Sequence, residues 1–170
     1  MIRPETTADY AAIYTVHQKA FGGRAAEPEL VAALRKLPTF DPALSLVYEE
    51  DGHIVGHILF TPISIETDPG RVPAIALAPV AVLPGQQNRG IGAALVRHGL
   101  EACRRQGHAI VIVLGHPNYY PRFGFSAALA RPLACPFGDC GAAWMALALV
   151  PGALQGVQGR VVYPPPFSDV

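Results

Sequence analysis

A strand, a short glycine-bearing loop and the start of a helix follow one another between Leu77 and Leu95. The strand is apolar, and the loop has the pattern Gln-x-x-Gly-x-Gly at Gln87, Gly90 and Gly92. N–H groups in the first turn of a helix have no partner within the helix, and together with the helix dipole they attract anions. Glycine lets the backbone come close to such an anion. The stretch therefore predicts a strand–loop–helix unit that binds a phosphate-bearing ligand.

Two common nucleotide-binding motifs are excluded at this loop. A Walker loop requires Gly-Lys-Ser/Thr, whereas Gly92 is followed by Ala93 and Ala94. A dinucleotide fingerprint requires a third glycine where Leu95 stands, and an acidic residue about 20 positions on. Ile110 stands at that later position, where the fingerprint needs an acidic residue. A glycine-rich turn without a ligand stays open as the alternative on these residues alone.

The order of periodic segments predicts the fold class. Residues 44–50 and 53–66 flank Asp51-Gly52, which is a strong hairpin signal. An amphipathic helix over 91–106 and an unbroken apolar strand over 109–114 complete a right-handed βαβ unit with the strand before the loop. Pro79 cannot donate to a central ladder, so it predicts a bulge or a break in pairing. Helices near the amino terminus and strands over 142–150 and 159–163 are also expected.

Two sequence strings resemble signatures of the GNAT superfamily of N-acetyltransferases. Gln-x-x-Gly-x-Gly resembles its acyl-CoA pyrophosphate loop, and Tyr120-x-x-x-Gly-Phe125 resembles its second signature, in the order that the family requires. The string from Asn118 to Phe125 is similar to the YhbS-like branch, as is the opening from Ala20 to Arg35. The resemblance implies an α/β fold, α+β by some schemes: a mixed, mostly antiparallel central sheet with a splayed parallel pair and flanking helices.

The resemblance also implies a donor site for acetyl-CoA as co-substrate, with no metal. In this family, backbone groups of the splayed strand bind the pantetheine arm, and the loop with the first helical turn holds the pyrophosphate. The residues implicated here are Val80, Ala81 and Val82 for the arm, and Gln87, Asn88, Arg89, Gly90, Ile91, Gly92 and Ala93 for the loop.

The expected reaction is direct transfer of an acetyl group to an amine, with a small-molecule acceptor favoured. A backbone N–H near Val82 would meet the charge that develops on the thioester oxygen. Tyr120 would give its proton to the departing thiolate. Glu27, His116 and an ordered water chain are the alternatives for the base. A non-catalytic acyl-CoA-binding sensor or regulatory protein and a protein or peptide N-acetyltransferase are the alternative functions.

Composition restricts the partners. The 170 residues predict a single GNAT-like acyltransferase domain, 1–170. Basic and acidic residues number 13 each and form no basic block, so neither a nucleic acid nor a membrane is expected as partner. Charged residues make up only 15%, against roughly 25% in an ordinary domain. An alanine-rich sequence explains this value, and so does a surface that a second subunit covers in a homodimer.

The cysteines and histidines give no metal signal. Cys103, Cys135 and Cys140 lack Cys-x-x-Cys spacing and paired histidines, so three reduced thiols are predicted. The apolar runs are too short for a membrane span, and a cytoplasmic location is predicted. Surface or core-edge positions in helix faces or turns are expected for His17, His53, His57, His98 and His108.

Overall fold

A computed structural model describes residues 1–169 of the chain. The chain divides into two compact units. The first unit comprises Met1–Thr61, Ala78–Ala102 and the residues from Pro165 on, and the second comprises Pro62–Leu77 and Cys103–Pro164. The helices are α1 (Tyr10–Ala20), α2 (Ala26–Leu34), α3 (Ile91–Arg105) and α4 (Ala127–Ala130). The strands are β1 (Ile2–Pro4), β2 (Ser45–Glu50), β3 (His53–Glu66), β4 (Arg71–Val82), β5 (Ile110–Leu114), β6 (Leu133–Ala134), β7 (Trp144–Ala148) and β8 (Gly159–Val162).

An antiparallel meander forms the sheet of the first unit. β1 pairs with β2, and β2 pairs with β3 in a register that places Leu46 opposite Ile58. Asp51 and Gly52 join β2 to β3 with φ values of 51° and 78°. Two successive positive φ angles are what a type I′ hairpin turn needs, and Asp-Gly supplies them at low cost. The predicted hairpin is confirmed.

Helices cover both faces of this sheet in the first unit. A Cβ atom added at Gly56 of β3 would lie 3.0 Å from Leu95 Cδ1, so the glycine allows α3 to pack closely on one face. A Cβ atom at Gly99 of α3 would lie 2.1 Å from the Phe60 ring, which fills that space instead. Adjacent strand residues point to opposite faces. His57, next to Gly56, accordingly contacts α1 on the other face.

Parallel and antiparallel pairs combine in the second unit. β4 and β5 are parallel, with Ile75 opposite Val111 and Ala76 opposite Ile112. β5 pairs antiparallel with β7, and β8 pairs antiparallel with β3 and parallel with β6. The strand order is β1-β2-β3-β4-β5-β7, with β6 and β8 off this path. The predicted mixed, mostly antiparallel fold with one parallel pair at β4 and β5 is confirmed.

The proline in β4 lies just beyond this parallel pairing. Within the described residues, the register of β4 with β5 extends no further than Ala76. The Ala78–Pro79 peptide bond, which is cis, follows two residues later. The end of pairing at this point agrees with the break that the proline predicts.

The prediction of three reduced thiols is wrong for two of the cysteines. Cys135 and Cys140 are joined by a disulfide, and their Cα atoms lie 6.6 Å apart. Gly138, with φ of 99°, turns the intervening chain back on itself and brings the two side chains together. Cys103 is a buried thiol. No helix within residues 1–169 is long and apolar enough to cross a membrane.

Candidate functional site

The loop after β4 has the backbone shape of an anion-binding helix start. Asn88 and Gly90 adopt positive φ angles of 63° and 83°, and α3 begins at Ile91. The N–H of Ala94 donates to the Gly90 carbonyl oxygen over 3.0 Å, which closes the first helical turn. The preceding N–H groups, on Ile91, Gly92 and Ala93, therefore lie at the open start of the helix. Such a start attracts phosphate oxygens.

Side chains of the loop fix its path. The Gln87 side-chain amide donates to the Val82 carbonyl oxygen over 3.1 Å, so the first residue of the motif ties the loop to the end of β4. Nothing lies within 4 Å of a Cβ atom built at Gly90, so the space beside this residue is open. A side chain there would be strained by the positive φ and would enter the space that a ligand needs.

Arg89 forms an ion pair with a neighbouring strand. Its guanidinium lies 3.1 Å from Glu50 Oε1 and also bonds to Gln86. The carboxylate of Glu50 raises the pKa of Arg89 above its ordinary value. Exposed ion pairs contribute little free energy. Arg89 can therefore exchange Glu50 for a phosphate at small cost.

The predicted donor-site residues are contiguous in the first unit, and Tyr120 lies in the second. Tyr120 begins a 3₁₀ turn that ends at Phe123, and it is only 7% exposed. Its ring meets Phe125 edge-on at 5.7 Å and Tyr119 at 5.2 Å. A Cβ atom at Gly115 would lie 2.3 Å from Tyr120 Cε2, so the ring occupies space that any other residue at 115 would fill.

Burial keeps the Tyr120 hydroxyl protonated. Desolvation, with a smaller effect of Tyr119, raises the pKa of Tyr120 to about 12. A phenol with this pKa carries its proton throughout the neutral range. It is suited to donate that proton to a thiolate and unsuited to remove one from an ammonium group.

The two side chains considered as base have different surroundings. Glu27 lies in the first turn of α2, is 4% exposed, and accepts hydrogen bonds from Arg24 at both carboxylate oxygens. His116 is exposed and follows β5, and its carbonyl oxygen accepts from the N–H groups of Tyr119 and Tyr120. Glu27 is thus bound to Arg24, whereas the His116 side chain is open to solvent.

A buried polar chain in the first unit contradicts the prediction for two histidines. His17 of α1 and His57 of β3 are fully buried, with His17 Nε2 2.8 Å from His57 Nδ1. His57 Nε2 lies 2.8 Å from Ser45 Oγ, which bonds to Glu5. Arg35 Nε donates to Glu5 over 2.7 Å. No sequence motif indicates this network of hydrogen bonds, because its members come from five separate segments.

The charge on Glu5 sets the direction of the hydrogen bonds. Burial opposes ionisation of Glu5, but the His57 imidazole, whose Nε2 lies 3.4 Å from Glu5 Oε1, and hydrogen bonds from Arg35 and Ser45 hold its pKa at about 2. An ionised carboxylate only accepts, so the Ser45 hydroxyl donates to Glu5, and Ser45 accepts from His57 Nε2. His57 Nδ1 then accepts from His17 Nε2. His17 Nδ1 has no partner among residues 1–169, and both imidazoles are neutral.

A family profile and individual relatives place the chain in the same protein family. The profile described as an acetyltransferase (GNAT) domain matches residues 1–128. The chain belongs to the GNAT acetyltransferase family. The uncharacterized N-acetyltransferase YhbS of Escherichia coli K12 is 30% identical over 99% of this chain and 98% of its own length. The family resemblance read from the sequence is thereby confirmed.

Two further comparisons extend to structure. The uncharacterized N-acetyltransferase YjhQ of Escherichia coli K12 is 42% identical over 69% of this chain, and the match spans 65% of YjhQ. The crystal structure of Escherichia coli YhbS in complex with CoA matches with a TM-score of 0.90 and 31% identity, over 99% of this chain and 91% of that one. A GNAT acetyltransferase from Brucella melitensis in complex with acetyl-CoA matches with a TM-score of 0.80 and 36% identity, over 98% and 97%.

Proposed function

We propose that this protein transfers an acetyl group from acetyl-CoA to an amine. The observation that carries the proposal is the helix start at Ile91, which follows left-handed residues at 88 and 90 at the end of β4. This geometry suits a pyrophosphate. Membership of the GNAT family and the CoA and acetyl-CoA complexes of two similar proteins support the identity of the donor.

The donor would bind along the end of β4 and across the loop. Val80, Ala81 and Val82 would pair with the pantetheine arm through their backbone groups. The pyrophosphate would be held by the N–H groups of residues 88–93, and Arg89 would turn from Glu50 toward it. Gln87 would act indirectly, because its amide bonds to Val82 and sets the entry of the loop.

The chemistry would be a direct attack by the neutral amine on the thioester carbonyl. A backbone N–H near Val82 would stabilise the developing oxyanion. Tyr120 would protonate the leaving thiolate, in keeping with its raised pKa. Glu27, His116 or an ordered water would take the proton of the ammonium.

The acceptor is proposed to be a small molecule. A cavity of about 570 Å³ lies beside the loop, lined by α1, the turn after it and residues 83–86. This volume falls in the range of small-ligand sites. One GNAT-like domain over 1–170, a cytoplasmic location and a homodimer complete the proposal, and these three parts rest on the sequence.

A thiol-release assay with acetyl-CoA tests the proposed function. Wild-type protein would be presented with amines, amino acids, polyamines and short peptides, and CoA release would be compared with an amine-free reaction. Release that depends on a small amine supports the proposal. Release with peptides alone favours a protein or peptide acetyltransferase. Binding of acetyl-CoA without release for any acceptor would identify a non-catalytic binder.

A further inference from the structure

The disulfide closes a short exposed loop in the second unit. Cys135 follows β6, and Cys140 precedes the 3₁₀ turn Gly141–Ala143 that leads into β7. Residues 136–139 between them are exposed, and both cysteines are half-buried. A reductant in solution can therefore approach the bond from the side of the loop.

The carboxyl end of this loop is connected to Tyr120. The Ala143 N–H donates to the Cys140 carbonyl oxygen over 3.3 Å, and the Ala143 carbonyl oxygen accepts from Gly115 N–H over 3.0 Å. Gly115 in turn lies against the Tyr120 ring. Two hydrogen bonds and one close contact thus separate Cys140 from the tyrosine.

The rest of the loop is connected to the same strand through aromatic side chains. Phe137 lies 4.8 Å from the Tyr163 ring, and Tyr163 lies 6.4 Å from Trp144, the first residue of β7. Trp144 Nε1 donates over 2.8 Å to the carbonyl oxygen of Leu133, two residues before Cys135. A change at the disulfide would therefore alter the surroundings of Trp144, which is the single tryptophan of the sequence.

The disulfide is not what holds this unit together. The ring that it closes is short, so it removes less chain entropy from the unfolded state than a long-range disulfide would. The ladder of β7 with β5, from Ile110 opposite Ala148 to Leu114 opposite Trp144, is independent of the cysteine side chains. The reduced chain should keep its strands and change only around the loop.

We propose that Cys135 and Cys140 form a reversible redox modification site, which takes a dithiol as reductant and positions Tyr120. A thiolate of the dithiol attacks one cysteine sulfur, breaks the Cys135–Cys140 bond and forms a mixed disulfide. The second thiol of the reagent then attacks the reagent's own sulfur in the mixed disulfide. The bond to the cysteine breaks, and the reagent leaves as a cyclic disulfide. Two electrons and two protons pass to the two cysteines. The effect on Tyr120 rests on the proposed acetyltransferase function, and the redox site itself does not.

Thiol counting and Trp144 fluorescence test the redox site without an activity assay. The folded protein would be equilibrated in mixtures of reduced and oxidised dithiothreitol, and then unfolded and alkylated. It should take one alkyl label when oxidised, on Cys103, and three when reduced. The emission of Trp144 in the folded protein should change with the same midpoint and a two-electron slope. Three labels under every condition, or constant Trp144 emission, would overturn the redox site.

Kinetics and tyrosine resonances test the positioning of Tyr120. Reduction should lower kcat by up to about 10²-fold, as a misplacement of about 1 Å can, and leave the KM for acetyl-CoA unchanged. The ring resonances of Tyr120, assigned with Tyr120→Phe, should shift. The double variant Cys135→Ser/Cys140→Ser should have the kcat and the tyrosine resonances of the reduced protein, and dithiothreitol should change neither. Cys103→Ala should respond to dithiothreitol as wild type does. Unshifted Tyr120 resonances, or loss of all tertiary structure on reduction, would refute the positioning role even if no acceptor were found.

Discussion

Acidification should destabilise the protein mainly through its buried histidines. Burial, with smaller effects of His57 and Arg35, lowers the pKa of His17 from 6.5 to about 2 in the folded state. At pH values between these two pKa values, His17 therefore binds a proton in the unfolded chain but not in the folded chain. The free energy of unfolding is then greatest above pH 6.5 and falls as the pH drops below it.

The expected loss is a sizeable fraction of the roughly 5–15 kcal/mol by which a single domain is usually stable. At about 1.36 kcal/mol per pKa unit, proton uptake by unfolded His17 lowers the free energy of unfolding by about 2 kcal/mol between pH 7 and pH 5. Burial also lowers the pKa of His57, although the nearby Glu5 carboxylate opposes this, so His57 adds a loss of the same sign. The carboxylate of Glu5, with a pKa of about 2, adds its own loss only as the pH falls through the ordinary range of glutamate.

Urea unfolding at pH 7 and pH 5 measures this loss, with two variants for comparison. His17→Gln keeps an amide donor for His57 Nδ1 and removes the titrating ring. Its free energy of unfolding should therefore depend less on pH than that of wild type, by about 2 kcal/mol over this interval. His98→Gln is the matched control, because His98 is exposed on α3 and lies outside the buried network of His17 and His57. The control should follow wild type.

The pH dependence decides the question, and the absolute stability of the variants does not. His17→Gln alters a packed site and should be less stable than wild type at pH 7. If wild type and His17→Gln lose the same free energy of unfolding between pH 7 and pH 5, His17 is protonated in the folded state, and the neutral histidine chain is wrong. The same conclusion follows if wild type loses nothing.

Three further predictions concern the site. Acetyl-CoA at 100 times its dissociation constant should stabilise the fold by about 2.7 kcal/mol in thermal unfolding, whereas ATP should not. Gly90→Val should reduce CoA affinity in calorimetry far more than stability, and normal binding would refute the pyrophosphate site. Tyr120→Phe should lower kcat by about 10²–10⁴-fold at unchanged CoA affinity, with Tyr119→Phe as the control. Equal turnover by Tyr120→Phe and wild type would remove Tyr120 from the mechanism.

Local patterns were sufficient to predict most of the architecture. The Asp51-Gly52 turn lies within its own hairpin, and the apolar face of α3 is visible in consecutive residues. On that face, Ile91, Leu95 and Leu100 are buried. Each of these signals depends on neighbours within a few positions, which is why the sequence alone reveals them.

Long-range polar contacts could not be predicted in this way. His57 stands among apolar residues of β3, and its partner His17 lies 40 positions away on another element. Hydrophobic periodicity records which face is buried but not which polar groups meet there. The Cys135–Cys140 disulfide was missed for a related reason, because the turn at Gly138 that brings the sulfurs together has no motif of its own.

Gly90 and Gly115 have two different physical roles that the sequence does not distinguish. Gly90 is needed for its backbone, since φ is 83° and open space surrounds it. Gly115 is needed for its missing side chain, because the Tyr120 ring fills that volume. The first role leaves room for a ligand, and the second leaves room for a residue of the protein itself. The placement of the proposed acid therefore depends on the end of β5 and on whatever holds Gly115, and the Ala143 hydrogen bond does so.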